Sequence, residues 1–458
     1  MTVKALMPVR TLNLVAPLPH KGTDMHITDT AASAQVWSGA VSQPIGSSLR
    51  SGDVDSAQKR STPRTTRGIR TSTTATRTTT TRTTSAAAVL SAASNSPTFD
   101  QLVQAYLDCR KNKRNSSSCL AFESRLERNL CDLFDELTSG TYRPGKSICF
   151  VITRPKHREV WAAEFRDRVV HHLLYNYIAP RFIAGFVAGS SACIPGRGTL
   201  YAAQRLEHGI RSITQNWNQP AFYLKMDLAN FFVAIDKHVL FTQVAAKVYE
   251  PFWLELARII LFHDPRDNVE MRGSRSLLAK VPPHKSLFNA PADTGLPIGN
   301  LSSQFFANVH LNLLDQFCVH QLKARYYVRY VDDFILLDAS AKRLNADLER
   351  IAQFLPDRLG AHLNPAKTIL QPVDRGVDFV GHVIKPWRRT TRKRTVKSAI
   401  SRIRTMPDDD VFETGNSYLG LLRQASHSHS DCAQIANALR DRGHSVQHDL
   451  TKIFKKKT

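Results

Sequence analysis

Tyr327-Val-Arg-Tyr-Val-Asp-Asp-Phe-Ile-Leu-Leu337 sets two runs of strand-forming residues, Tyr326 to Tyr330 and Phe334 to Leu337, on either side of a pair of acids. β-branched and aromatic runs around a short polar break read as a hairpin with Asp332 and Asp333 at its turn. Adjacent carboxylates repel, and a carboxylate among residues that want burial is costly unless a cation neutralises it. A second segment of the same character, Tyr223-Leu-Lys-Met-Asp-Leu-Ala-Asn-Phe-Phe232, carries Asp227. A divalent metal held by oxygen ligands is the natural neutralising partner. Two Mg²⁺ ions about 4 Å apart can activate a 3′-hydroxyl and stabilise a leaving pyrophosphate in one in-line displacement. The chain therefore reads as a nucleotidyl transferase. Each acid alone is a weak signal, since a lone Asp in an alternating segment is more often a strand-end turn residue; the paired context carries the reading.

On these residues the chain resembles reverse transcriptases. Tyr330-Val-Asp-Asp333 resembles the palm signature of that family, and Asp227 with Phe231-Phe232 resembles its first metal-binding motif. Between them, Gly295-Leu-Pro-Ile-Gly-Asn-Leu-Ser-Ser-Gln304 followed by Phe305-Phe-Ala-Asn308 is similar to the dNTP-binding turn and helix. Most of the family has Gln-Gly and then Ser-Pro here, whereas this chain has Ile298-Gly299 and Ser303-Gln304. That departure resembles the enzymes of diversity-generating retroelements, which copy a template RNA with frequent errors at adenines.

The resemblance, which covers roughly residues 99 to 390, implies roles residue by residue. Asp227, Leu228, Asp332 and Asp333 are implied to hold two Mg²⁺ ions, with Mn²⁺ as a substitute. Asp227, Asp332 and Asp333 are implied to be catalytic together with Lys367, in Leu363-Asn-Pro-Ala-Lys-Thr-Ile-Leu370, which matches a lysine near the departing pyrophosphate and could act as general acid; a plain surface lysine is the other reading. Lys156 and Arg158, in Arg154-Pro-Lys-His-Arg158, are implied to reach the dNTP phosphates, with Arg154 a third candidate and a solvated basic turn the alternative. Phe232 is implied to lie under the deoxyribose and exclude a 2′-hydroxyl. Ile298, Gly299 and Gln304 fall in the dNTP turn. Ile298 can only pack where a Gln could hydrogen-bond, which would loosen selection of the incoming nucleotide; one lost discriminating bond of about 1.4 kcal/mol is tenfold in relative rate. Arg197, in Pro195-Gly-Arg-Gly198, is implied to contact phosphate. Tyr330 and Gly381, the latter in a segment resembling the primer-grip hairpin, join the nucleic-acid-binding set.

Composition agrees. The chain has 458 residues, 42% of them hydrophobic, enough for several cores, and its formal charge of +23 calls for a polyanionic partner. No apolar run is long enough to span a membrane. The seven cysteines lack a Cys-x-x-Cys pair, which reads as reduced, mostly buried thiols in a cytoplasmic protein without a zinc site.

Residues 1–95 read as a disordered basic arm rich in Thr, Ser and Arg, either an RNA-binding tail or an extension without function. Folded sequence is expected from Phe99, with one helix over Phe122 to Leu137, a strand from Ser147 to Thr153 and a helix from Trp161 through Tyr177. His171 and His172, about 100° apart on that helix, read as packing and polar-contact residues. Residues 263–290 read as an irregular insertion with no assignable chemistry. From 385 to 405 the sequence holds nine cations, Arg388, Arg389, Arg392, Lys393 and Arg394 among them, without an acid; such density reads as a phosphate track opening a thumb.

The expected fold is α+β: a right-hand polymerase with fingers and an antiparallel palm over 96–390, the palm core at about 220–390, and a short basic helical thumb over 391–458. The expected partners are an RNA template, a DNA or RNA primer, dNTPs and, by resemblance, a small basic accessory protein, with no membrane. Two other readings stand beside the error-prone polymerase. One is a reverse transcriptase of a defence, retron-like or group II intron-type system; the other is a non-catalytic RNA-binding splicing or scaffold protein, which would gain nothing from an acid cluster facing RNA phosphates.

Overall fold

Helix α1 (Phe99–Arg110) starts on a capping box in which Thr98 and Gln101 bond each other's backbone N–H groups. The computed structural model describes residues 96–454 except 112 and 155; the basic arm expected at 1–95 and the closing lysines lie outside the described residues. Helices α2 (Ser117–Glu123) and α3 (Leu126–Thr138) follow where one was expected. The break comes at Arg125, which leaves helical geometry, while the Asn129 side chain donates to the Phe122 carbonyl at 2.8 Å.

Strands β1 (Ser147–Ile152) and β2 (Arg158–Ala163) form an antiparallel hairpin, and helix α4 runs over Phe165–Ile183. Trp161 is therefore in a strand, not at the start of the helix. Its N–H donates to the Ile298 carbonyl at 2.7 Å, so the segment around Ile298 completes the hydrogen bonding of β2 and keeps it extended. Then come α5 (Thr199–Ile213), β3 (Phe222–Asp227), α6 (Lys237–Ala245), α7 (Pro251–Phe262), β4 (Val269–Met271), α8 (Leu301–Gln316), β5 (Tyr326–Tyr330), β6 (Asp333–Asp338), α9 (Ala341–Leu359) and β7 (Ile369–Pro372). Strands β8 (Val377–Phe379), β9 (His382–Lys385) and β10 (Arg388–Thr391) precede α10 (Lys393–Thr405), α11 (Asp408–Leu422) and α12 (His429–Asp441). The 263–290 segment is less irregular than its sequence suggests, because β4 pairs in parallel with β1.

The central sheet has the order β5-β6-β3-β7 and is antiparallel throughout. Period-two alternation divides its side chains. Leu224, Met226, Phe334 and Leu336 enter the main core, with Leu173, Phe306 and Ile351 from α4, α8 and α9. Tyr223, Val328, Ile335 and Leu337 enter a second core with Ala202, Leu206 and Ile210 of α5 and with Val377, Phe379 and Ile384. Burying a large apolar side chain contributes about 1.5–3 kcal/mol, so the sheet is clamped on both faces and the acids sit at strand ends that cannot drift. Helices α10 to α12 enclose a separate core built from Ile403, Leu419 and Leu439. The architecture is α+β, as expected.

Candidate active site

The register of β3 on β6 sets Asp227 directly opposite Asp333. Asp332 occupies the two-residue turn between β5 and β6, beside Val331 at a φ of 56°. A positive φ is costly for a β-branched residue and persists only where surroundings enforce it. The enforcing group is Arg329, fully buried, whose Nη1 donates to the Val331 carbonyl at 3.0 Å. Its Nε and Nη2 donate to the two oxygens of Asp315 at 2.7 and 2.6 Å, and further bonds run to Asn308 at 3.2 Å and Ser190 at 2.8 Å. Burial alone would depress the guanidinium, but Asp315 more than offsets it and holds Arg329 protonated. The turn is tied from the other side by the Leu228 N–H, which donates to the Asp332 carbonyl at 3.2 Å.

Two lysines meet the acids. Lys367 Nζ stands 2.5 Å from Asp227 Oδ1, and Lys225 Nζ stands 3.1 Å from Asp333 Oδ2 while donating to the Asp378 carbonyl at 2.8 Å. Compensation is incomplete. Asp333 Oδ1 is buried without a hydrogen-bond partner among the described residues. Burial, then the charges of Asp227 and Asp333, push the Asp332 carboxyl up to about 7. Burial also raises Asp333, with Lys225 opposing. Among the described residues no group of three acid, His or Cys side chains is gathered at metal-holding positions, since Asp227 and Asp333 each turn to a lysine. The donors nevertheless suit a hard divalent cation: all are carboxylate oxygens, one of them orphaned, and their mutual repulsion is what such an ion relieves.

The residues expected to meet the dNTP phosphates lie on β2 and the turn beside it. Arg158 opens β2; burial lowers it, and the charges of Asp332 and Asp227 act in the opposite sense, which puts it in the same electrostatic neighbourhood. Lys156 is half-buried in the β1–β2 turn, and Arg154 is exposed. The turn over residues 295–304 is locked onto these elements. Leu296 N–H donates to the Phe232 carbonyl at 2.7 Å, and Gly299 has φ +136° with the Trp161 carbonyl 2.4 Å from where a Cβ would stand, so only glycine fits. Ile298 and Phe232 are half-buried near this junction, and Gln304 Oε1 accepts from Cys193 Sγ at 3.2 Å.

Other expected contacts divide. Arg197 spends Nη1 on the carbonyls of Val187 and Ser190, both at 2.8 Å, and so holds its own loop. Tyr330 is half-buried beside the acids, and Gly381 is buried with φ +92°. Within the expected phosphate track, Arg388, Lys393 and Arg394 are exposed, but Arg389 and Arg392 are buried and ion-paired to Glu207 and Asp378. Arg389 also donates to the Gln424 carbonyl and thus bolts the C-terminal helices to α5. A charge count cannot separate these two from their neighbours; period-two alternation, which puts Arg389 and Thr391 on the inner side of β10, could have flagged Arg389 but not Arg392, which follows the strand. His171, buried, is pushed down to about 3 by burial and then His172, and its Nδ1 lies 3.3 Å from Ser302 Oγ, as a packing histidine should. All seven cysteines are free, and among the described residues no helix is long and apolar enough to cross a membrane.

Three charged residues around the acids escaped the sequence reading: Lys225, Arg329 and Lys285. Lys225 carried a signal, a lysine two residues before Asp227 in the same strand. Arg329 carried a signal, an arginine in a strand between buried Val328 and half-buried Tyr330, with Asp315 near the end of the preceding helix. Lys285 carried none; it enters from the 263–290 segment.

The family described as "Reverse transcriptase (RNA-dependent DNA polymerase)" matches residues 139–384, over half of the chain. No curated protein matches. Among solved structures, a telomerase from Candida albicans in complex with a TWJ fragment of telomeric RNA aligns at 11% identity and a TM-score of 0.40, over 68% of this chain and 60% of that one. An apo telomerase from Candida tropicalis, truncated of its C-terminal domain, aligns at 12% identity and 0.38, over 54% and 56%. The chain thus spans less than two thirds of either.

Proposed function

Because the chain belongs to the reverse transcriptase (RNA-dependent DNA polymerase) family, we propose that it extends a DNA or RNA primer along an RNA template with dNTPs. The observation that carries this reading is the meeting of Asp227, Asp332 and Asp333 at one end of the central strands, with only two cations at ion-pair distance and one carboxylate oxygen left without a partner among the described residues. Asp227, the Leu228 backbone, Asp332 and Asp333 would hold two divalent ions, Mg²⁺ with Mn²⁺ as a substitute, which supply activation of the 3′-hydroxyl and neutralisation of phosphate charge. The hydroxyl gives up its proton to water as its oxygen bonds to the α-phosphorus, the α–β bridging bond breaks, and pyrophosphate leaves. Arg158 and Lys156 bind the triphosphate and align it for in-line attack. Lys367, released from Asp227, donates the proton that the departing pyrophosphate takes up. Phe232 underlies the sugar and excludes ribonucleotides.

In this reading the central sheet is the palm, the β1–β2 hairpin with its helices the fingers, and α10 to α12 a short thumb whose Arg388, Lys393 and Arg394 track the duplex. Reduced thiols suit a cytoplasmic setting. The finer assignment is an error-prone polymerase of a diversity-generating retroelement, supported by Ile298 where a hydrogen-bonding Gln is usual, and served by a small basic accessory protein. Purified protein given a primed RNA, dNTPs and Mg²⁺ should lengthen the primer, and Asp332→Ala should not. Extension that survives this change would overturn the reading. Sequencing the product decides the finer assignment: faithful copying at template adenines refutes it.

A further inference from the structure

Lys285 ends a 3₁₀ turn, Pro283–Lys285, in the segment between α7 and α8. That segment is fastened to β2. The Leu287 N–H donates to Glu159 Oε2 at 2.8 Å, an oxygen that also receives Trp161 Nε1–H at 3.2 Å. Phe288 packs on Trp161 with ring centroids 4.8 Å apart. Arg266 Nη1 donates to the carbonyls of Leu287 at 3.3 Å and Ala290 at 2.6 Å, closing the segment on itself. Lys285 is thus held two residues from a backbone anchor whose partner, Glu159, is the neighbour of Arg158.

The ammonium is half-buried and has no carboxylate at ion-pair distance among the described residues. Burial lowers it first, then the charges of Lys367 and Arg158; Asp227 and Asp332 act in the opposite sense. Three cations from three separate segments, Lys285, Lys367 and Arg158, therefore repel one another within electrostatic reach of Asp227 and Asp332. A polyanion arriving at the acids relieves that repulsion.

We propose that Lys285 is a phosphate-binding residue of the nucleotide site, contributed by the 263–290 segment, which contacts the part of the incoming triphosphate that departs as pyrophosphate. The inference deepens the polymerase reading and rests on it. Its test compares wild type with Lys285→Gln and Lys285→Arg in primer extension and in the reverse reaction with pyrophosphate. A charge-assisted contact predicts that Lys285→Gln raises KM for dTTP and for pyrophosphate by about tenfold or more while kcat moves less. Lys285→Arg should restore KM to within about twofold, and the Gln variant should melt no lower than wild type, which separates a binding role from a structural one. Unchanged KM values for both ligands in Lys285→Gln overturn the proposal. If wild type extends no primer, the polymerase reading fails instead, and calorimetric titration of inorganic pyrophosphate onto wild type and Lys285→Gln still decides: weaker binding by the variant supports the site, and equal binding refutes it.

Discussion

Two groups of buried charge lie within a few residues of each other, and they are built on opposite terms. Behind the β5–β6 turn, Arg329 and Asp315 are both fully buried and fully answered, with Tyr327 donating to the same carboxylate at 2.6 Å. In front of the turn, Asp227, Asp332 and Asp333 share two lysines, one carboxylate oxygen is orphaned, and Asp332 is pushed up to about 7. A satisfied buried pair fixes geometry; an under-compensated cluster stores affinity for a cation. The turn between them transmits the first property to the second, since Arg329 holds the strained Val331 that aims Asp332.

The largest break in this comparison comes from the front group. Asp227→Ala or Asp332→Ala should lower primer extension by on the order of a thousandfold, the equivalent of about 4 kcal/mol of transition-state stabilisation. For Asp332→Ala, metal-free melting should stay level or rise, because the change removes a buried carboxyl that neither lysine meets. A marked fall in melting temperature would mean that these acids are structural.

Behind the turn the order of effects reverses. Arg329→Met alone leaves a buried carboxylate without its cation and should cost about 3–5 kcal/mol of stability in denaturant titration. Replacing both partners, Arg329→Met with Asp315→Leu, should recover most of that loss yet not the activity, because the Val331 carbonyl is then unheld. Full activity in the double variant would show that the brace does not position Asp332.

The pH response sharpens the contrast. Asp332 has a folded-state pKa of about 7, above its unfolded value of about 3.9. Between the two the folded chain keeps a proton that the unfolded chain has lost. Metal-free stability contributed by this group is therefore full below about pH 4 and falls as pH rises toward 7. Mg²⁺ should raise the melting temperature more at pH 8 than at pH 5, and Asp332→Asn should flatten the difference. An equal Mg²⁺ effect at both pH values would contradict the assignment.

How much of this was legible in sequence follows the same division. Asp227, Asp332 and Asp333 could be read because a carboxylate among strand formers violates the burial pattern, and the α+β architecture could be read from the alternation around them. The strand character of Trp161 could not, since it depends on a hydrogen bond to Ile298, far away in the chain. Lys285 was invisible for a related reason: its place is set by Glu159 and Trp161 on another element. Charge density, by contrast, misled in part, because it counts cations without asking which have partners.

That last point yields the smallest effect and the finest test. Arg388 and Lys393 are exposed on β10 and α10, whereas Arg389 and Arg392 of the same run are buried against Glu207 and Asp378. Only the first kind can release counterions from a phosphate backbone. Arg388→Gln and Lys393→Gln should each reduce the slope of log affinity against log salt by about 0.7–0.9, one phosphate contact apiece, with no change in melting temperature. Arg389→Gln should leave the slope within error and lower stability instead, because it strands the Glu207 carboxylate and unbolts the Gln424 carbonyl from the hairpin. A slope that responds to Arg389 as it does to Arg388 would mean that the ion pair opens to receive nucleic acid, and the distinction between paired and exposed cations would no longer separate structure from binding in this part of the molecule.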